Sequence, residues 1–126
     1  MQNDYVEAVL ELACLVARGS VVSYGDVAEL LGAGGPRQVG SAMSRGAEHG
    51  PGPVPWWRVV RADGTLPQGL AVEAEARWAE EGTPRRGGRV AMGEARWRPS
   101  ESDFEAIDTL AGRLRAPEPK CRDPLI

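Results

Sequence analysis

Residues 23–46 spell out two short helices and the corner between them, and this stretch limits the fold more than any other. Ser23 can cap a helix by accepting from the backbone of Asp26, and the Asp26 carboxylate can accept in return from the backbone of Ser23. Val27, Leu30 and Leu31 supply the buried face of that helix, and Gly32 ends it. Ala33-Gly34-Gly35-Pro36 then makes a turn, with Pro36 suited to the first position of a second helix over 36–46. Two short helices around a glycine-bearing corner, the second carrying basic and small residues, have the form of a helix-turn-helix. The corner is looser than usual for that motif.

The flanking sequence completes a mainly α domain with a little β. Tyr5, Val9, Leu12 and Val16 recur at steps of four and three, which predicts a helix over 4–17 stopped by Gly19. Residues 47–55 are rich in Gly and Pro and are expected to be loop. Residues 56–61, WWRVVR, read as an extended piece closed by the turn Ala62-Asp63-Gly64. Tryptophans adjacent on such a piece would face opposite ways, Trp56 toward a pocket and Trp57 toward packing. A helix over 70–81 follows, with Leu70, Ala74 and Trp78 on one face and Gly82 as its stop. A strand or hairpin is expected over 88–97. An amphipathic helix over 101–115 presents Phe104, Ile107, Leu110 and Leu114, and the remaining residues read as a loose tail. The expected division is one domain over 1–99, with a C-terminal helix and tail over 100–126 packed on it or extending from it. At 126 residues such a chain can bury roughly two-thirds of its unfolded surface.

Composition narrows the function classes. No apolar run approaches the roughly 20 residues of a membrane span, and the N-terminus lacks the marks of a signal peptide. The expected location is cytoplasmic, in association with the nucleoid. Cys14 and Cys121 are the only cysteines, and neither belongs to a CxxC pair, so no metal or redox motif is expected. Cys14 falls on an apolar helix pattern and reads as a core thiol; Cys121 reads as exposed in the tail. The single histidine, His49, reads as an exposed loop residue.

The net charge of −3 argues at first against a nucleic-acid partner, but its distribution does not. Arg37, Arg45, Arg58 and Arg61 face a single acid, Glu48, between Gly32 and Arg61. The acids crowd the first dozen residues and the stretches 73–81 and 101–108. A basic face on an acidic body is compatible with binding a short stretch of DNA. The cluster Arg85-Arg86-Gly87-Gly88-Arg89 reads as a solvated turn, with phosphate contact as the alternative.

Four pieces in this order resemble the C-terminal domain of the O6-alkylguanine-DNA alkyltransferases. They are Val22-Ser23-Tyr24-Gly25-Asp26-Val27-Ala28, Pro36-Arg37-Gln38-Val39-Gly40, Pro55-Trp56-Trp57-Arg58-Val59-Val60 and Glu81-Gly82, and the resemblance covers roughly residues 5–99. It implies a winged helix-turn-helix-like domain of the alkyltransferase type. The family's motif is Pro-Cys-His-Arg, in which a thiolate activated through histidine, water and glutamate accepts the alkyl group. Here Trp56 stands at the cysteine position and Trp57 at the histidine position, while Glu81 remains. Indole offers neither a nucleophile nor a usable proton-transfer pKa. The family's hinge asparagine is lost within Gly46-Ala47-Glu48. The resemblance therefore implies no enzyme and no cofactor. Alkyltransferase-like proteins carry Trp at this site, usually followed by His, so Trp57 departs even from them.

What the resemblance retains is lesion binding. It implies that Tyr24 crowds the 3′ phosphate and helps rotate the damaged nucleotide out, and that Arg37 enters the stack in its place. Gly40, Ser41 and Ala42 are small enough to let the second helix enter the minor groove. The Trp56 ring would pack on the alkylated base, with the Trp56 and Val59 carbonyls accepting from its amino group. Pro67 falls where the family has a backbone donor to the lesion oxygen and has no N–H to give. Arg58 is expected to be structural. The implied partners are double-stranded DNA with alkylated guanine and nucleotide excision repair proteins, the protein itself being a monomer. Two other classes stand beside this one. A transcription regulator would use the same helices on undamaged DNA, and an enzyme would have to use Cys14, a helix-embedded thiol with no base nearby in sequence.

Overall fold

The computed structural model describes residues 2–49 and 54–115. The predicted stripe forms α1, Gln2–Leu15, with Val9 and Leu12 fully buried and Val16 buried just beyond its end. Cys14 is exposed, not a core thiol. It follows Leu12 by two residues, which rotates it about 200° around the helix and onto the solvent face.

The cap written into Ser23 and Asp26 forms as read. The Asp26 N–H donates to Ser23 Oγ at 2.9 Å, and the Ser23 N–H donates to Asp26 Oδ2 at 3.0 Å. This starts α2, Tyr24–Leu31, which Gly32 closes in the left-handed conformation. After the corner, α3 runs Pro36–His49. It passes three residues beyond the expected end, so 47–49 are helix and not loop. Ala47 and Glu48 are good helix formers, and Gly46 alone costs only about 1 kcal/mol against alanine. Residues 50–53 and the tail 116–126, with Cys121, lie outside the described residues.

Four valines divide the interior. Strand β1, Val22–Ser23, pairs in parallel with β2, Val59–Val60, in the register Val22 to Val59 and Ser23 to Val60. A parallel pair needs a long crossover, and α2 and α3 supply it. Because side chains alternate along a strand, Val22 and Val59 enter one apolar cluster while Val21 and Val60 enter another. The first cluster lies among α1, α2, α3 and a C-terminal helix α6, Glu101–Arg115, whose Ile107 and Leu110 are buried in it. The second gathers Leu66, Val90, Ala95 and the inner face of α4, Gln68–Glu81.

Two helix faces differ from their expected form at the first turn. Leu70 of α4 is 43% exposed, whereas Ala74 and Trp78 are buried; Phe104 of α6 is 45% exposed, whereas Ile107 and Leu110 are buried. Each helix begins before its core does.

The expected strand or hairpin begins earlier than read. β3, Arg85–Arg86, and β4, Arg89–Val90, pair antiparallel around Gly87 and Gly88. A short helix α5, Met92–Ala95, follows, and Trp97 then donates to the Val21 carbonyl at 2.8 Å. The hairpin is fastened to the turn after β2, where the Val90 N–H donates to the Gly64 carbonyl at 2.9 Å. Gly64 has φ +86°, and a Cβ there would collide with the Val90 backbone, so only glycine permits this approach. Among the described residues no helix is long and apolar enough to cross a membrane.

Candidate nucleic-acid interface

Trp56–Arg58 forms a turn of 3-10 helix, not an extended piece. The Arg58 N–H donates to the Pro55 carbonyl at 3.0 Å, and the Val59 N–H donates to the Trp56 carbonyl. The turn keeps the two indoles from facing opposite ways: their rings meet edge to face, with centroids 5.5 Å apart and planes at 85°. It also engages the Trp56 carbonyl, one of the two acceptors expected for the guanine amino group, with the chain itself.

A buried carboxylate fixes this turn to the rest of the molecule. Glu81, at the end of α4, has a side chain only 3% exposed. Arg58 donates to it twice, Nε to Oε1 at 3.0 Å and Nη2 to Oε2 at 2.7 Å, and its Nη1 donates to the Val16 carbonyl at 3.0 Å. Such two-point pairing fixes orientation as well as distance. The Trp57 indole N–H donates to Glu81 Oε2 at 2.9 Å, and the Gly19 N–H to Oε1 at 3.2 Å. Burial alone would push the Glu81 carboxyl up. The hydrogen bonds from Arg58, Trp57 and Gly19, with the Arg58 charge, outweigh burial and hold it below the ordinary value. Trp78 adds an anchor by donating to the Trp57 carbonyl at 2.7 Å, and the Arg77 guanidinium lies 4.8 Å from the Trp57 ring centroid. Arg58 is structural, as expected. Glu81 has found a partner in Trp57 and is fully engaged as an anchor.

Tyr24 and Trp56 are both half-buried, and each packs against both apolar clusters. The seam between the clusters is thus where these two rings sit. Burial pushes the Tyr24 phenol above its ordinary value, and the Arg61 guanidinium partly offsets this. Gly40 lies against the Tyr24 ring: a Cβ added there would be 3.6 Å from Tyr24 Cε2, an ordinary contact. Val59 is buried in β2, beneath this surface.

The outer face of α3 begins at Arg37, one turn before Gly40. The Arg37 side chain is exposed, with no hydrogen bond or ion pair to another described residue. Ser41 is exposed and lines a groove of about 270 Å3 with Tyr5, Gly34, Gln38 and Arg45. Pro67 is exposed as the residue that opens α4. Neither of the two described cavities is lined by Trp56. The structure therefore brings together Tyr24, Gly40, Trp56 and Val59, leaves Arg37 reaching outward, and sets Ser41 and Pro67 to the sides. Sequence reasoning gave no role to Arg77, whose partner Trp57 is distant in the chain, and saw Arg61 only as part of a basic face.

The sequence profile of the 6-O-methylguanine DNA methyltransferase DNA-binding domain matches residues 4–83. The chain belongs to this family. Its curated relatives include the DNA base-flipping proteins of Escherichia coli strain K12 and Shigella flexneri. Each is 35% identical over 66 residues, which cover 52% of this chain and 50% of the relative. The chain thus spans about half the length of the curated relatives it matches. The fold matches S. pombe Atl1, solved in complex with damaged DNA containing O6-carboxymethylguanine, with a TM-score of 0.66 and 28% identity. A second structure, S. pombe ATL in complex with DNA, gives 0.65 and 29%. Both matches cover 77% of this chain and 97% of the other. The mainly α, alkyltransferase-type fold expected from the sequence is the fold of this methyltransferase-family domain.

Proposed function

We propose that this protein recognises O6-alkylguanine in duplex DNA and flips it out of the stack without removing the alkyl group. The observation that carries this reading is the Trp56–Arg58 turn, which holds an indole at the seam of the two cores, where Tyr24 also packs. At that place an alkyl transfer would need a thiolate and a proton relay. Trp56 supplies no nucleophile, and Glu81 is committed to Arg58, Trp57 and Gly19. The base-flipping name of the E. coli relative and the lesion-bearing DNA in the Atl1 complex support the same reading.

In this mechanism the small outer face of α3, at Gly40 and Ser41, enters the minor groove. Tyr24 crowds the phosphate next to the lesion and promotes rotation of the nucleotide. Flipping costs a few kcal/mol, and Arg37 offsets that cost by taking the vacated place in the stack. Trp56 packs on the extruded base, while Val59 contributes a backbone acceptor. Pro67 withholds a donor from the lesion oxygen and leaves the site tolerant of larger adducts. The protein acts as a monomer without a cofactor, near the nucleoid, and passes the marked site to nucleotide excision repair.

Binding to paired duplexes with and without O6-methylguanine tests the proposal. Tighter binding to the lesion is expected, with most of the difference lost in Arg37→Ala. Equal affinity of the wild-type protein for the two duplexes would overturn it.

A further inference from the structure

The β3–β4 hairpin carries more charge than the fold uses. Arg85, Arg86 and Arg89 are all exposed, and of its strand residues only Val90 is buried. A two-stranded ribbon is marginal by itself, and three arginines within five residues repel one another. The Arg86–Glu94 ion pair joins two exposed side chains and contributes little. The Arg85 side chain has no hydrogen bond or ion pair to another described residue. In a chain of net charge −3, stability gives no reason to gather cations here.

The position of the hairpin does give a reason. Gly87 and Gly88 both take positive φ, which closes the tightest hairpin turn and sets the arginines close together. Val90 ties the ribbon to Gly64, in the turn that Arg61 opens; Arg61 itself donates its N–H to the Thr65 carbonyl. The Arg61 charge acts on Tyr24, and those of Arg61 and Arg89 both act on Asp63. The ribbon is thus held against the turn that follows β2. It borders an open cleft of about 410 Å3 lined in part by Asp63, Arg86, Arg89 and Glu94. Asp63 is engaged by Thr65, whose hydroxyl and N–H both donate to it.

We infer that this hairpin is a second DNA contact, in which Arg61, Arg85 and Arg89 bind backbone phosphates beyond the nucleotide that Tyr24 displaces. The inference rests on the proposed DNA binding but not on lesion preference. Phosphate contacts set register and affinity and carry no sequence or lesion information. The hairpin therefore strengthens binding to damaged and intact duplex alike, while Arg37 and Trp56 discriminate between them.

The test is the salt dependence of binding to both duplexes, from about 50 to 200 mM, where each phosphate contact contributes roughly 0.9 to the log–log slope. The double variant R85Q/R89Q is expected to lower that slope by about 1.8 and to weaken both duplexes by one common factor. Arg113→Gln, which removes an exposed cation paired with Glu11, is the control and should leave the slope unchanged. An unchanged slope in the double variant overturns the inference, as does an equal fall per charge in the control. A wild type that binds both duplexes equally defeats the function proposed above but leaves the slope comparison readable. A wild type that binds neither removes both.

Discussion

The Trp57 indole N–H lies 2.9 Å from a Glu81 oxygen, within a carboxylate that Arg58 grips at both ends. Where the resemblance to alkyltransferases implies a histidine, this chain has kept a donor to Glu81 while discarding the group that could titrate. The consequence for stability is direct. Glu81→Ala leaves the largely covered Arg58 guanidinium without its carboxylate and should cost about 3 kcal/mol, read as a lower urea midpoint. Trp57→Phe keeps most of the ring but loses its bond to Glu81, and should cost roughly 1–3 kcal/mol.

Acid should act through the same carboxylate. The folded protein holds Glu81 below its ordinary value, so its contribution is complete above the unfolded pKa. That contribution is lost as pH falls through the depressed folded value. The wild type should therefore lose stability on acidification more steeply than Glu81→Gln. Parallel urea titrations across the acidic range would show the two curves converging; curves that stay parallel would refute the assignment.

Gly40→Ala should separate fold from function. A Cβ there makes an ordinary contact with Tyr24, and alanine is favoured over glycine within a helix by up to about 1 kcal/mol. The variant should be as stable as the wild type or more so, yet bind duplex DNA more weakly, because the added methyl lies against Tyr24, on the face that the proposed mechanism sets in the minor groove. A variant that binds as well as the wild type would remove Gly40 from the interface.

Restoring the missing sulfur should not restore chemistry. Trp56→Cys supplies a thiol but no base, since Trp57 cannot relay a proton and Glu81 is fully engaged. Incubation with DNA labelled on the O6-alkyl group should leave the variant protein unlabelled; label on the protein would contradict this.

Adduct size offers another test. On the role proposed for Pro67, which has no N–H to donate, affinities for O6-methyl and for larger O6 adducts should be comparable in competition binding. Strict preference for methyl would show that the oxygen is read by another group.

The sequence revealed most clearly what is local. The Ser23–Asp26 cap, the Gly32 stop and the stripe of α1 depend on neighbours within one or two turns, and all three formed. Periodicity located the right faces of α4 and α6 but not where along each axis the core begins, which is why Leu70 and Phe104 differ. An apolar side chain on a helix need not share the buried face, as Cys14 shows. At the site, the motif order pointed to Tyr24 and Trp56, but extended spacing could not reveal a 3-10 turn closed by the Val59 N–H. Nor could it reveal that Trp78 holds the Trp57 carbonyl, since those partners meet only once the fold has formed.

The valine ladder has a further effect. Tyr24 and Trp56 straddle two separately filled interiors joined by strands of only two residues each. Their relative placement is inherited from both sides at once. On the proposed mechanism, a void opened deep in either interior would tilt one ring against the other and register as weaker DNA binding before it registers as unfolding.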